Sequence, residues 1–186
     1  MKTAFYFVSA LLVGHAASAA EPDPLVMESR MAIKAFATEL KGELQAAMKA
    51  GGPVNAIGVC NTRAPEIANE TNAKGKLKIS RVSLKNRNAD NAPDEWQKSV
   101  LEDFERRKAA GDAVDTIDFS EIVQTSAGKE FRYLKAIPTG EVCLSCHGTH
   151  IHDEVKAKLD ELYPDDKARG FEPGDIRGAF YVTITQ

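Results

Sequence analysis

The sequence predicts an α+β domain in which an antiparallel sheet is flanked by helices. Through much of the first half, apolar residues recur at helical spacing, whereas through most of the second half they alternate with polar residues. Helical segments followed mainly by strands are typical of α+β domains. The 186 residues and the 43% hydrophobic content fit one domain that needs no disulfide to build its core.

A long amphipathic N-terminal helix is predicted over residues 25–49. Ile33, Phe36 and Leu40 belong to a set of apolar residues that recur every three or four positions and therefore share one helix face. The helix is expected to end at residues 51–53, because the sequence Gly-Gly-Pro cannot continue it.

Residues 54–73 predict two short helices with a break near Cys60. The segment is rich in alanine, but Gly58 and Pro65 interrupt it. A short strand is expected next, over residues 77–81, where apolar and polar residues alternate.

A polar loop over residues 86–93 leads into the next predicted helix. Pro93 suits the first helical position, and the basic residues 106–108 suit the C-terminal end, which Gly111 follows. Trp96 begins the apolar face of this helix.

The second half predicts three strands and one helix. Residues 117–124 and 131–137 alternate in polarity and are expected to form a hairpin around a turn at residues 126–129. Helical spacing of apolar residues predicts a helix over residues 153–162, and alternation predicts a final strand over residues 179–185.

The N-terminus has the pattern of a secretory signal. Lys2 precedes an apolar run over residues 4–13, and the small residues 17–19 match the preference of a signal peptidase. Residues 1–20 are therefore predicted to be a signal peptide, and residues 21–186 a single exported domain. An uncleaved N-terminal anchor is the alternative interpretation.

Cleavage near Ala19 and Ala20 predicts a periplasmic protein without a membrane span. No later apolar run approaches the roughly 20 residues that a spanning helix needs. The whole chain has 24 basic and 27 acidic residues, so the loss of Lys2 with the signal leaves a net charge near −4. This acidic balance argues against nucleic acid as a partner.

The segment from Cys143 to His147 has the C-x-x-C-H pattern of covalent haem attachment. Cys143 and Cys146 can form thioether bonds to the two vinyl groups of one porphyrin, while the imidazole of His147 ligates the iron. Each residue type is required at its position for this attachment. In an exported protein that has three cysteines, the motif is a strong indication of haem. We therefore expect one covalently attached haem c.

A structural disulfide and a zinc site are the two alternatives. A disulfide between Cys143 and Cys146 would leave His147 unexplained. Zinc could use these residues together with His150 or His152, but structural zinc sites usually draw two ligand pairs from separated segments. The spacing therefore favours haem.

The sixth iron ligand is not expected to be a histidine. Apart from His15 in the predicted signal, the histidines are confined to residues 147–152. Three residues span at most about 10 Å, so His150 and His152 are expected to face a propionate or solvent. The open candidates are a lysine, water, Cys60, Met27, Met31 and Met48, with Met48 favoured among the methionines.

Cys60 is the odd cysteine that remains after haem attachment uses two. An unpaired thiol in an oxidising compartment is a liability unless something occupies it, and iron would do so. The alternative is a buried cysteine that packs as a small hydrophobic residue.

A series of separated motifs runs through the predicted mature chain. They are residues 56–60, 64–68, 81–83, 87–88, Asn91, Pro93, Trp96, 143–148, 163–164, Asp166, Ala168, Gly170, 174–175 and 177–179. This series resembles a family of c-type haem proteins that was long described only as a domain of unknown function. Its members are single-domain cyanobacterial proteins and extracytoplasmic parts of bacterial sensors.

The resemblance implies a PAS-like fold that holds haem between the sheet and flanking helices, and a role in sensing redox state or a small gas. The family's histidine and cysteine ligands would correspond to His147 and Cys60. Because this chain carries no kinase or methyl-accepting segment, a sensor is expected to act through a separate, unknown redox or signalling protein.

Thiolate ligation by Cys60 would stabilise ferric iron and predicts a lower reduction potential than a His/Met pair. On reduction the iron–sulfur bond is expected to weaken, so that carbon monoxide or nitric oxide could bind. Arg63, which is near Cys60 in sequence, is a candidate to stabilise the thiolate. The alternative is that Arg63 is a solvated surface residue.

Arg81, Arg87 and Arg177 are candidates to bind the haem propionates, because a planar guanidinium pairs well with a carboxylate. For each of them, anchoring a loop is the alternative.

Two functions compete on this basis, a redox or small-gas sensing module and a periplasmic electron-transfer cytochrome. The family resemblance favours sensing. An enzyme such as a peroxidase is not expected, because it needs an acid–base residue above the iron and the chain has no distal histidine.

Overall fold

The computed structural model describes residues 23–126 and 128–186, and its order of elements confirms the predicted α+β class. The predicted signal, residues 1–20, lies outside the described residues, as does Ala127 of the predicted hairpin turn. Within the described chain, no helix is both long and apolar enough to cross a membrane. The elements are α1 (Pro24–Gly58), α2 (Ala64–Asn72), β1 (Leu77–Val82), α3 (Glu95–Ala109), β2 (Asp118–Thr125), β3 (Gly128–Pro138), α4 (Leu144–His147), α5 (Asp153–Leu162) and β4 (Ile176–Thr185).

Helix α1 confirms the predicted long helix, which breaks where the sequence Gly51-Gly52-Pro53 predicts its end. The backbone leaves helical geometry at Gly51 and Gly52, where Gly52 has φ +69°, and the helix then resumes at Pro53. Proline is tolerated here because the kink already removes the hydrogen bonds that its ring would block. Two helical segments therefore meet at this kink, and the first of them ends where the Gly-Gly-Pro sequence predicts.

The predicted break near Cys60 is a π-helical turn, Val59–Arg63, that joins α1 to α2. The N–H of Ala64 donates to the carbonyl oxygen of Val59, five residues earlier. Pro65 lies in the first turn of α2, where no backbone N–H is required. Such wide turns are frequent at functional sites.

Four antiparallel strands form one sheet in the order β1-β4-β3-β2. The hairpin turn is shorter than predicted, because Gly128 already pairs with Thr125 inside the β2–β3 ladder. The pairing of β3 with β4 slips between Ile137 and Pro138. The PAS-like character of this sheet stays a prediction.

Helices cover both faces of the sheet. On one face, Phe36 of α1 and Ile67 of α2 pack with Val182 of β4. On the other face, Phe104 of α3 packs with Leu134 of β3. Each of these side chains is almost fully buried, so the two clusters form the hydrophobic core.

Pro93 precedes helix α3, and the prediction that it opens the helix is wrong. Asp94 is the N-cap: its carboxylate accepts a 2.7 Å hydrogen bond from the backbone N–H of Gln97. The side chain of Gln97 in turn accepts a 3.0 Å bond from the N–H of Asp94. This reciprocal capping box satisfies two backbone donors and sets the start of the helix.

Candidate functional site

One cavity between α1 and the sheet contains seven of the residues that the sequence predicts for the site. The cavity, together with the solvent-open space at its mouth, has a volume of about 1100 Å³. Both sides of the α1 kink line it, because Leu40 and Leu44 precede the kink and Ile57 follows it. The predicted site residues in its wall are Cys60, Arg81, Arg87, Cys143, Cys146, His147 and Arg177.

A short helical segment presents the C-x-x-C-H motif to this cavity. A 3₁₀ turn, Glu141–Cys143, runs directly into α4. Residues three and four positions apart lie on the same side of a helical turn, so Cys143, Cys146 and His147 all face the cavity. The two cysteines are partly buried free thiols, as thioether formation requires.

The ring of His147 is held in one tautomer. Its Nδ1 lies 2.8 Å from the carbonyl oxygen of Ala168, and because a carbonyl only accepts, Nδ1 carries the proton. Burial first, and then the charges of Arg177 and Arg87, hold the pKa of His147 well below its ordinary value of 6.5. Nε2 of the neutral ring is therefore free to ligate a metal.

The backbone of residues 168–171 makes hydrogen bonds to the motif. The carbonyl oxygen of His147 accepts a 2.9 Å hydrogen bond from the N–H of Phe171, and that of Gly148 accepts a 3.0 Å bond from Gly170. The segment that contains Ala168 is thereby fixed against the motif. Composition and spacing could not reveal this contribution, because Ala168 acts through its carbonyl group and not through its side chain.

Cys60 faces the cavity from the π-helical turn. Burial raises the pKa of its thiol, and the positive charges of Arg81, Arg87 and Arg177 oppose that increase. Burial prevails, so the net pKa of the thiol is raised, although the nearby cations favour its ionised form.

Met48 also lines the cavity, whereas Met27 and Met31 are exposed and lie outside it. No lysine is among the cavity residues in the described part of the chain. Of the side chains considered for the sixth ligand, Cys60 and Met48 are thus the two within the cavity.

Arg63 does not accompany the thiol of Cys60, contrary to the first of its two interpretations. Its guanidinium lies on the surface between α1 and α2, and it pairs with Glu39, Glu43, Glu66 and Glu70. This acidic surrounding agrees with the interpretation of Arg63 as a surface residue.

Arg81 and Arg177 fit a ligand that carries carboxylates. Within residues 23–126 and 128–186, no carboxylate lies within ion-pair distance of either guanidinium. Nε of Arg177 is buried without a hydrogen-bond partner in the protein. Burial, together with Arg87 and Arg81, lowers the pKa of Arg177 to about 10. Buried cations are costly unless they are paired, so an anionic ligand here would be stabilised.

Arg87 lines the same cavity but bonds mainly to protein. Its Nε pairs with Asp166 at 3.0 Å, and its Nη2 donates to the carbonyl oxygens of Cys146 at 2.6 Å and Ala168 at 3.2 Å. The alternative of loop anchoring therefore describes the contacts of Arg87 better than propionate binding does.

The zinc and histidine alternatives find no support in the described chain. His150 and His152 are exposed and lie outside the cavity wall. Among the residues that the structure describes, no three His, Cys, Asp or Glu side chains are arranged to hold a metal ion.

The cavity combines the groups that a haem requires. Its apolar walls include Leu44 and Phe180, and most of its lining surface is apolar. The paired thiols suit covalent attachment, the neutral imidazole suits iron, and two cations suit propionates. The residues present thus fit a flat, apolar, iron-containing ligand with two carboxylates.

Comparisons with known proteins agree with this chemistry. A family model described as Tll0287-like matches residues 16–185. A solved structure described as the crystal structure of the cyanobacterial heme-protein Tll0287 is similar, with a TM-score of 0.67 and 25% sequence identity. That match covers 89% of this chain and 98% of the other. A search of curated proteins found no match.

Proposed function

The chain belongs to the Tll0287-like family, and on this premise we propose that it is an exported monohaem protein that senses redox state or a small gas. The similar solved structure is described as a heme-protein. The observation that carries the proposal is the convergence on one cavity of all seven residues predicted from the sequence.

Six of the seven residues have a defined part in this proposal. Cys143 and Cys146 hold the haem through thioether bonds, and Nε2 of His147 is one iron ligand. Cys60 is the other ligand, and Arg177 binds a propionate, with Arg81 as a further candidate. When bound, the haem supplies an iron that changes oxidation state and can accept a diatomic ligand.

Sensing is the preferred function because of where Cys60 lies. The π-helical turn that carries it connects α1 to α2, and both helices pack on the sheet. A change in the position of the Cys60 side chain would therefore act on the junction of two helices. A helix junction of this kind can couple a local ligand change to a larger rearrangement.

Electron transfer is the second candidate, and one observation favours it. Val142 lines the cavity and is 50% exposed, so part of the ligand would lie near the surface at this rim. An electron carrier needs such an exposed edge. Carbon monoxide added to the reduced protein distinguishes the two functions: binding supports sensing, and no binding supports electron transfer.

The proposal includes export, with a signal over residues 1–20 and a periplasmic domain from residue 21. Mass measurement of the protein from the periplasm tests the cleavage site. An enzymatic activity is not proposed, and an unknown redox or signalling protein is the proposed partner.

Haem attachment is tested by producing the protein together with a c-type maturation system. We expect a coloured protein that keeps its pigment in acid acetone and gives a haem c spectrum in alkaline pyridine. A colourless product, or one that loses its pigment to acid acetone, would contradict the proposal.

The sixth ligand is tested in the same material with Cys60→Ala, and Met48→Leu is the matched control from the same cavity wall. We expect a thiolate-type ferric absorption spectrum that Cys60→Ala abolishes and Met48→Leu preserves. The reverse result would assign the ligand to Met48.

A further inference from the structure

A buried carboxylate lies directly behind the C-x-x-C-H motif. The side chain of Asp166 is 1% exposed. Its Oδ1 accepts hydrogen bonds from Nε of Arg87 at 3.0 Å and from the N–H of Ala168 at 2.9 Å, and its Oδ2 accepts a 2.9 Å bond from Arg169. Burial raises the pKa of Asp166, but these hydrogen bonds outweigh it and lower the pKa below the ordinary value of 3.8. Asp166 is therefore an ionised carboxylate.

Arg87 connects this carboxylate to the motif. Its Nη2 donates to the carbonyl oxygen of Cys146, the residue before His147, and also to the carbonyl oxygen of Ala168. The latter oxygen is the acceptor of the Nδ1–H of His147. Asp166 thus holds Arg87 where it bonds to two carbonyl oxygens. One belongs to Cys146, next to His147, and the other, of Ala168, accepts the hydrogen bond that orients the His147 ring.

The charge of Arg87 would be unfavourable in this place without Asp166. Its guanidinium is buried, with 7% of the side chain exposed, and it is one of the two arginines that lower the pKa of His147. A positive charge beside an iron ligand withdraws electron density and disfavours ferric iron. A paired carboxylate cancels most of that effect.

We propose that Asp166 is a positioning residue that acts on His147 through Arg87 and Ala168, and that it keeps the reduction potential of the proposed haem low. This inference rests on the proposed function. Partners in the outer shell of a metal site commonly fix the ligand ring and raise its basicity. The pair of Asp166 and Arg87 performs the first task, since it fixes the acceptor of His147, and its carboxylate offsets the positive charge that Arg87 places near the ring.

The test uses the haem-loaded full chain and compares Asp166→Asn with Arg87→Gln. Removing the carboxylate exposes the charge of Arg87, so we expect the midpoint potential to shift to more positive values. Removing the guanidinium leaves the carboxylate, so we expect a shift to more negative values. A role limited to holding the fold would not move the two potentials in opposite directions.

Asp160→Asn is the matched control. Asp160 also pairs with Arg169, but its side chain is 56% exposed and contacts neither Arg87 nor Ala168. We expect Asp160→Asn to retain the potential of the unmodified protein and its ferric electron paramagnetic resonance spectrum.

The outcomes separate this inference from the proposed function. Haem c in the unmodified protein is established first, by its spectrum in alkaline pyridine, and a colourless protein overturns both proposals. Given haem c, unshifted potentials, or shifts of the same sign in both variants, overturn the inference alone. If Asp166→Asn does not accumulate, Arg87→Gln still decides the question, because an unchanged or more positive potential contradicts the proposal.

Discussion

The N–H of Gly148 donates a 2.9 Å hydrogen bond to the carbonyl oxygen of Leu144 and so caps helix α4, which ends at His147. This contact leaves no room for a side chain at residue 148. A β-carbon there would lie 2.7 Å from the same oxygen, closer than such atoms approach in proteins. The motif thus depends on a glycine at its end for a steric reason and not for an unusual backbone angle.

Gly148→Ala is expected to disturb haem attachment. The clash with Leu144 must displace either α4 or the segment that contains Phe171, to which Gly148 is bridged. Overpacking of this kind costs about 1–3 kcal/mol. We expect a lower yield of covalent haem and a lower melting temperature, measured by absorbance and circular dichroism.

Gly140→Ala is the control for this prediction, on the other side of the motif. Gly140 has φ −94°, and a β-carbon there meets no atom within 4 Å. Equal losses of haem in the two variants would show that steric closure at Gly148 is not the cause.

Asp94→Ala is expected to destabilise the domain through helix α3. The substitution removes the N-cap acceptor for Gln97, and loss of such a cap typically costs about 0.5–2 kcal/mol. Chemical denaturation measures the change. Asp90→Ala is the control, because Asp90 is exposed and its carboxylate caps no helix, so a change within about 0.5 kcal/mol is expected. Equal effects would contradict the capping role.

Local sequence patterns predicted much of the fold and of the candidate site. The spacing of Cys143, Cys146 and His147 identified the motif because all three lie on one short turn, and periodicity identified the long helix and the strands. Cys60 is different, since its place in the same cavity as the motif depends on the whole fold. The count of cysteines made Cys60 one of several candidate ligands, and the resemblance of several motifs to a family singled it out as the partner of His147.

Tertiary contacts decide between interpretations that the sequence leaves open. Proximity in sequence suggested Arg63 as the cation beside Cys60, yet Arg63 points to four surface glutamates and more distant arginines face the thiol. Arg87 matched the chemistry of a propionate partner, but a buried carboxylate far along the chain, Asp166, takes its guanidinium. A single sequence gives no signal for such pairings.

Tyr133 is expected to make the domain sensitive to alkaline pH. Its hydroxyl accepts a 3.1 Å bond from Arg30 of α1 and donates a 2.7 Å bond to Asp118 of β2. Burial raises the pKa of Tyr133 to about 12, against an ordinary value of 10.0. The unfolded chain therefore loses this proton at lower pH than the folded chain does. The associated stability is complete below pH 10 and is lost as the pH rises toward 12.

Tyr133→Phe removes this contribution. The free energy of unfolding of the unmodified protein is expected to fall by roughly 2 kcal/mol more than that of the variant between pH 9 and 12. Denaturant titrations at several pH values measure the difference. Other tyrosines with raised pKa values, Tyr163 and Tyr181, contribute equally to both proteins. Parallel curves for the two proteins would contradict the prediction.

Arg177→Met is expected to change stability in opposite directions with and without haem. In the chain prepared without haem, Arg177 is a cation with a buried Nε that has no partner, and its two contacts from Nη1, to Ser83 and Lys85, are long at 3.2 and 3.3 Å. Methionine fills a similar volume without a charge. Replacement should therefore stabilise the haem-free chain by about 1–2 kcal/mol.

With haem bound, the same substitution should destabilise the protein, because it removes the partner of a propionate and leaves that carboxylate partly buried. Arg106→Met is the control, since Arg106 is 69% exposed and pairs only with Asp103 in the described chain, so changes within about 0.5 kcal/mol are expected in both forms. Thermal and denaturant unfolding of the four protein forms measures the effect. If Arg177→Met destabilises both forms equally, Arg177 serves the fold through Ser83 and Lys85, and its assignment to a propionate is wrong.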